Sequence, residues 1–162
     1  MNLEIMKLIF LLLIAVSGKV DASEYRDTSN GFSLQIPQFD AIDSLSAQVL
    51  TIAGPPTRGF APNCNVQIQA VNMSLDDFVE LTLRQFEGAG FEVIESSRIG
   101  ISGRDAQRWH YNGSLHGTEF EWLAVVVPKS NRFFLLTCTA LKDKYEETAT
   151  IFEDTIQSFR VD

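Results

Sequence analysis

The sequence predicts a single α+β domain in which an antiparallel sheet of about six to seven strands is flanked by two main helices. Short segments of alternating apolar and polar residues are joined by two-residue turns, a pattern typical of β-hairpins. Two longer segments repeat apolar residues every three or four positions, as amphipathic helices do. Both faces of the predicted hairpins are largely apolar, so the sheet needs cover on both sides, as in an α/β/α sandwich. The chain has 162 residues, 45% apolar and 21% charged, which suits one globular domain.

Residues 1–22 are predicted to be a secretory signal peptide. A lysine near the start is followed by nine apolar residues, Leu8–Val16, and then by a short polar segment with small side chains. A helix of that length spans only about 14 Å, roughly half of the hydrocarbon core of a bilayer, so a membrane anchor is the weaker interpretation. We expect cleavage before Ser23, a folded domain over 23–162, and a periplasmic or secreted product without a membrane anchor.

The first part of the domain is predicted to contain three strands and a loop. Phe32–Ile36 alternates apolar and polar residues after an Asn-Gly turn and is predicted to be a strand that ends at Pro37. Ser44–Ala53 is predicted to be the second strand. Gly54–Asn63 contains three prolines and two glycines, which predicts an exposed loop. In Cys64–Ala70 the alternation returns and predicts a third strand.

A capping box and an apolar stripe predict the first helix. The Ser74 hydroxyl can accept from a first-turn amide, and Asp77 follows three residues later. Gly88 or Gly90 can adopt the left-handed conformation that ends a helix. The stripe consists of Leu75, Phe78, Val79, Thr82, Leu83 and Phe86.

A hairpin with a definite register is predicted after the first helix. The strands Phe91–Ser102 and Arg104–Leu115 precede a turn at His116 and Gly117, residue types that tolerate positive φ. This turn places Tyr111 opposite Trp122 on one face of the sheet. We expect the aromatic residues of this hairpin, Trp109 among them, to lie in the core rather than to line a ligand groove.

A second turn and a second helix complete the predicted domain. A turn at Ser130-Asn131 aligns Val125 with Leu136 on the opposite face from the tryptophans. Lys144–Phe159 is predicted to be the second helix, able to cover the second face of the sheet or to share the first. Its apolar stripe consists of Tyr145, Ala149, Phe152, Ile156 and Phe159.

The two cysteines, Cys64 and Cys138, allow two interpretations. Exported proteins reach an oxidising compartment where thiols tend to pair, and a bridge across this separation would stabilise the fold by about 4 kcal/mol. The pairing requires that their strands be neighbours. The alternative is two buried free thiols that act as small hydrophobic side chains.

Several segments of the sequence together resemble the PsbP-like group, which includes the PsbP proteins of the photosynthetic lumen and the bacterial periplasmic DcrB-like proteins. The resemblance implies a central antiparallel sheet flanked by helices and an accessory or assembly role without enzymatic activity. The photosystem role of PsbP is not expected here, because the chain has no plastid transit peptide and no matching pattern of metal ligands. The segments are Tyr25–Asp27, Asn30–Pro37, Ser74–Phe78, Gly103–Tyr111, Leu135–Ala140 and Ile156–Phe159.

The sequence lacks the residue patterns of several common chemistries. No CxxC or HxxxH spacing provides a zinc site, and neither a GxSxG turn nor a phosphate-binding glycine loop occurs. The net charge of −8 argues against nucleic acid as a partner. His110 is expected to be a structural hydrogen-bonding residue and His116 to face solvent in its turn, with Glu119 as the candidate acid beside it.

These observations predict an exported, non-catalytic accessory or binding module that acts on an unknown envelope or lumenal protein. We expect a monomer with no cofactor, no metal and no catalytic residues. The candidate partner-binding residues are Arg58 and Phe60 in the Gly54–Asn63 loop, because an arginine and an aromatic ring on a stiff loop make good anchors. The alternative is a small exported hydrolase that uses His110 or His116.

Overall fold

The computed structural model describes residues 24–36, 40–42 and 48–162. Seven of its strands form one antiparallel sheet in the order β3-β4-β5-β9-β8-β7-β6, and three form a small second sheet in the order β1-β2-β10. With two α-helices, this arrangement confirms the predicted α+β fold class. The strands are β1 (Glu24–Asp27), β2 (Phe32–Gln35), β3 (Asp40–Ile42), β4 (Gln48–Ala53), β5 (Asn63–Ala70), β6 (Glu92–Ile101), β7 (Arg104–Leu115), β8 (Thr118–Lys129), β9 (Arg132–Leu141) and β10 (Arg160–Val161), and the helices are α1 (Leu75–Ala89) and α2 (Tyr145–Ser158).

The small sheet differs from the predicted organisation. The first predicted strand is β2, which pairs with β1 and with β10 after α2 instead of joining the large sheet. Phe32 explains this placement, since its ring is fully buried between Phe159 and Phe134 of β9, with centroid distances of 6.2 and 6.4 Å. The signal peptide predicted for residues 1–22, Pro37 and the first part of the strand predicted for 44–53 lie outside the described residues.

The predicted hairpin registers are confirmed. Tyr111 is opposite Trp122, and Val125 is opposite Leu136. The turns that set these registers contain residues at positive φ, including His116 at +50°. Directly opposed residues lie on the same face of a sheet, so these pairs define two faces. We call the face with Tyr111 and Trp122 the α1 face and the face with Val125 and Leu136 the α2 face.

The α1 face is covered by the first helix. Ser74 caps α1 by accepting a hydrogen bond of 3.1 Å from the Asp77 amide, and Gly90 ends it with a φ of +73°. The ring of Phe86 stacks on the ring of Tyr111 with 4.2 Å between centroids. Close packing continues along β7 on this face, where a Cβ built on Gly113 would lie 2.2 Å from the ring of Phe91.

The α2 face is covered by the second helix together with the small sheet. The helix residues Phe152 and Ile156 are almost completely buried against it, as is Phe159, which follows the helix. The two helices therefore cover opposite faces, which gives the predicted sandwich. This cover does not extend over β6, in which nine of ten residues are exposed or half-buried.

Candidate functional site

The Gly54–Asn63 loop is packed onto the α1 face. Thr57 and Phe60 close it by exchanging two backbone hydrogen bonds of 2.7 and 3.1 Å. The Phe60 side chain is only 6% exposed, and its ring meets the ring of Phe120 edge-on with 4.9 Å between centroids. Phe60 is therefore not available as an exposed anchor for a partner, because its ring is buried against Phe120.

Arg58 remains on the surface and ties the loop to the start of α2. Its guanidinium pairs with the carboxylate of Asp143, in the single 3₁₀ turn Lys142–Lys144 that precedes α2. The hydrogen bond from Arg58 lowers the pKa of Asp143, and the same bond raises the pKa of Arg58. Both side chains are well exposed, at 59% and 60%, so the pair contributes little to stability.

The structure joins the two cysteines in a disulfide. Cys64 on β5 lies directly opposite Cys138 on β9, with 4.0 Å between their Cα atoms. Both side chains face the α2 side of the sheet and are no more than 1% exposed. Neither sulfur is a free thiol, so neither can act as a nucleophile or metal ligand.

His110 has two partners on the α2 face. Its Nε2 atom lies 2.6 Å from Oε1 of Glu121 on β8, and its ring stacks on Tyr145 of α2 with 4.9 Å between centroids. Burial raises the pKa of the Tyr145 phenol, and the charges of Glu121 and Glu153 raise it further. The phenol is therefore protonated at neutral pH and is not an anionic nucleophile.

The second histidine does not form the pair considered for catalysis. His116 is exposed in the turn between β7 and β8, and the structure describes no hydrogen bond or ion pair between it and Glu119. The acid that contacts a histidine is Glu121, two residues further along β8, and the histidine is His110. Glu121 is directly opposite Asn112, so these two side chains lie on the same face of the sheet. His110 lies two residues before Asn112 on β7 and therefore shares that face, which brings it beside Glu121.

A groove of about 630 Å³ lies between the α2 helix and the part of the α2 face formed by β6 and β7. Arg108 of β7 lies along it with a side chain that is only 14% exposed, 2.7 Å from Glu95 of β6 and paired with Glu153 of α2. Burial lowers the pKa of Arg108, but the hydrogen bond and charge of the two carboxylates outweigh burial and leave it raised. Ile99 and Ile156 supply the apolar part of the lining. The ion pairs thus connect β6, β7 and the helix across the groove.

The strand β6 lies at one edge of the large sheet. Nine of its ten residues pair with β7 on one side, and among the described residues no strand pairs with it on the other. Val93 and Ile94 are 36% and 49% exposed, the large apolar side chains that stand out most to solvent in the described part of the chain. The register with β7 shifts between Val93 and Glu95, so Ile94 is the extra residue of a β-bulge.

The start of β6 is acidic. Glu92 and Glu95 lie on this strand, and Glu87 is exposed in the last turn of α1, which contains no basic residue. The carbonyl end of a helix carries a partial negative charge, so α1 adds to the negative potential here. Glu95 has Arg108 as a partner, whereas Glu92 makes only a long contact of 3.4 Å with the amide of Asn112. A basic side chain is close by, because Lys142 donates a hydrogen bond of 3.2 Å to Oδ1 of the same Asn112.

Two other kinds of site are absent from the described ranges. Within them, no three His, Cys, Asp or Glu side chains are grouped closely enough to hold a metal ion. No helix in these ranges is long and apolar enough to cross a membrane.

Three solved structures share the fold of this chain at low sequence identity. Cyanobacterial PsbP (CyanoP) from Synechocystis sp. PCC 6803 superposes with a TM-score of 0.68 at 16% identity, covering 93% of this chain and 99% of that one. The chain has a PsbP-like fold. LpqN of Mycobacterium tuberculosis, described as involved in cell envelope biogenesis, superposes with a TM-score of 0.66 at 14% identity. The match covers 86% of this chain and 89% of LpqN. PA94 of Pseudomonas aeruginosa, a protein of unknown function, superposes with a TM-score of 0.63 at 18% identity. The match covers 84% of this chain and 94% of PA94.

Comparison by sequence adds no closer relative of this PsbP-like chain. No protein-family model matches it, and no curated protein does. None of the names of the three similar structures describes an enzymatic activity. At these identities the likeness shows the PsbP-like fold and carries no site residue from one protein to another.

The β6 edge is the feature that sequence reasoning missed in this PsbP-like domain. The strand itself was predicted, but its position at the margin of the sheet depends on which strands pair with it. One signal in the sequence could have pointed to it. Val93 and Ile94 stand between Glu92 and Glu95 and break the strict alternation expected of a strand covered on one face.

Proposed function

We propose that this PsbP-like protein is an exported, non-catalytic module that binds another envelope or lumenal protein, and that the outer edge of β6 is its binding surface. The observation that carries the proposal is the edge itself, ten residues long, which no strand of the described residues covers and on which Val93 and Ile94 are exposed. Unpaired backbone donors and acceptors along a sheet margin form a ready template for another chain, and exposed apolar side chains beside them mark an interaction site.

The chemistry of the remaining side chains supports a binding role over a catalytic one. The histidine that has an acid partner, His110, is held between Glu121 and the Tyr145 ring, and both cysteines are joined. Export is supported by the predicted signal peptide and by the likeness to a PsbP protein and to an envelope protein. In this proposal the protein is a monomer that works through its partner and needs no cofactor.

Site-directed photo-crosslinking in the source organism tests this function. A photoreactive amino acid replaces Ser96, an exposed residue in the middle of β6, and in a matched strain it replaces Thr150, an exposed residue of α2. We expect a crosslinked complex with one envelope or lumenal protein from position 96 and none from position 150. Equal crosslinking from both positions, or none from position 96 in a folded protein, contradicts the proposal.

The His110–Glu121 contact favours one other function, a small exported hydrolase. A histidine 2.6 Å from a carboxylate has the orientation that a general base requires, although a nucleophile must then come from water. This alternative predicts ester hydrolysis that is lost in His110→Gln and kept in His116→Gln. Equal rates for the wild type and both variants exclude it and leave the binding function as the interpretation.

A further inference from the structure

We propose that the groove beside β6 binds the carboxyl terminus of the partner protein, with the terminal carboxylate on Arg160 and an apolar last side chain against the isoleucines of the lining. This inference rests on the proposed binding function and names the part of the partner that is recognised. The strand β6 supplies one wall of the groove as well as the proposed binding edge, so one partner chain can contact both. A volume of about 630 Å³ lies within the usual range of ligand sites, about 300–1,000 Å³.

Arg160 lines the groove with a guanidinium that is held in place and partly free. Its Nη1 atom donates to the carbonyl oxygens of Gln157 and Phe159 at 2.7 and 2.8 Å, which also satisfies a carbonyl at the negative end of α2. Both bonds use the same nitrogen, and among the described residues no carboxylate pairs with Nε or Nη2. The hydrogens of Nε and Nη2 form one edge of the guanidinium and match the two oxygens of a carboxylate. The exposed Arg160 is therefore oriented to receive one.

Arg160 lies at the far end of the groove from the ion pairs of Arg108. The amide of the next residue, Val161, donates a hydrogen bond of 3.0 Å to Oγ of Ser102, which directly follows β6. Glu95, the β6 partner of Arg108, lies roughly 20 Å back along the strand. The two ends of the groove therefore present separate charges to a ligand.

The charges decide at which end an acid binds. Glu95 and Glu153 share the single guanidinium of Arg108, so their end of the groove carries an excess of negative charge. A ligand carboxylate is repelled there and is attracted to Arg160, whose charge no carboxylate of the described chain neutralises. The acid of the ligand therefore lies beside the end of α2, and the rest of the ligand extends toward Arg108.

The surface between the two ends is apolar and suits a branched side chain. Ile99, Ile101 and Ile156 line it, and the Gln157 side chain beside them has no hydrogen bond within the described structure. A C-terminal leucine or valine carries its carboxylate and its apolar side chain on the same Cα, so both groups can be placed at once. The carboxylate of an internal aspartate or glutamate has no apolar group attached beside it, so it fits the groove less well.

The test titrates synthetic probes against the full-length folded protein by calorimetry. The probes are an acetylated hexapeptide that ends in Ala-Leu with a free carboxylate, the same peptide with a C-terminal amide, and N-acetylleucine. We expect the free acid to bind about fivefold more tightly than the amide, because only the acid can form charge-assisted hydrogen bonds with Arg160. N-Acetylleucine that binds as tightly as the peptide would assign the groove to a small apolar acid and would overturn the assignment to a protein terminus.

Matched substitutions locate the effect. Arg160→Gln should remove the preference for the free acid, whereas Arg84→Gln, at an exposed arginine of α1, should keep it. Ser97→Phe places a ring on the groove side of β6 and should weaken binding of both peptides at least tenfold. Ser96→Phe places the same ring on the opposite face of the strand and should leave binding unchanged.

Circular dichroism and the unfolding midpoint confirm that these variants fold. Equal or undetectable binding of the acid and the amide would overturn this inference, as would a preference for the acid that survives Arg160→Gln. A crosslink from position 96 obtained alongside any of these results would still support the proposed binding function, because that crosslink reports the outer edge of β6 and not the groove.

Discussion

Reduction of the Cys64–Cys138 disulfide should destabilise the protein by about 4 kcal/mol. The bridge closes a loop with a sequence separation of 74 residues. In the chain-entropy model, a cross-link that closes a loop of this length lowers the entropy of the unfolded chain by about 15 cal/mol/K. At 25 °C this raises the free energy of unfolding by about 4.4 kcal/mol. Reduction leaves the same side chains in place, so the loss reports the cross-link and not a cavity. With an m-value of about 2 kcal/mol/M for urea, the unfolding midpoint should fall by about 2 M.

The measurement compares urea unfolding of the wild-type protein with and without reductant, followed by tryptophan fluorescence. Thiol titration of the unfolded protein, before and after reduction, shows whether the bridge was present in the first sample. Free thiols in the unreduced sample would restore the alternative of two buried thiols. A shift below about 0.5 M in a sample shown to be bridged would refute the loop-entropy argument for this fold.

Three further substitutions test the packing of the loop, the hairpin and the groove. Phe60→Ala should lower the free energy of unfolding by about 3 kcal/mol because it empties a buried aromatic site, whereas the exposed Arg58→Ala should leave the urea midpoint almost unchanged. Gly113→Ala should cost about 1–3 kcal/mol by the same assay, because its new methyl group clashes with an aromatic ring. Arg108→Met should cost about 1 kcal/mol at pH 7. The hydrogen bond from Arg108 lowers the pKa of Glu95 in the folded protein. The contact between the two side chains therefore stabilises the fold at pH values above 4.5, the ordinary pKa of a glutamate. The difference between wild type and Arg108→Met should therefore narrow in unfolding curves taken as the pH falls below 4.5, and a constant difference would contradict this cause.

The hairpins and helices were predictable because their signals are local. The turn at His116 and Gly117 fixes the register of β7 and β8, and every opposed pair then follows from counting. The cap at Ser74 and the stop at Gly90 were readable for the same reason. The separate small sheet was not predictable, because β2 and β10 lie near opposite ends of the domain and nothing in either strand marks the other as its partner.

The candidate site was harder to predict than the fold because exposure depends on tertiary packing. A loop with three prolines indicates a stiff surface segment, and the sequence offers no sign that the Phe60 ring would fold back onto Phe120. Conversely, the adjacent apolar residues Val93 and Ile94 break the alternation of β6, but this signal does not show which strands pair with it. Their exposure follows from the strand order, which leaves β6 with one neighbour.

The distribution of ion pairs indicates how a partner could bind without disturbing the core. Arg108 holds β7 to α2 through Glu153 and holds β6 to β7 through Glu95, so the last strand is fixed from inside the sheet. The outer backbone of β6 takes no part in these contacts. A strand that adds to it would therefore meet a preformed edge and would need no opening of the sandwich, which reduces the ordering cost of binding to that of the partner segment itself. A flexible segment must become extended to pair with β6, so binding should tighten when that segment is already held as a strand in its own protein.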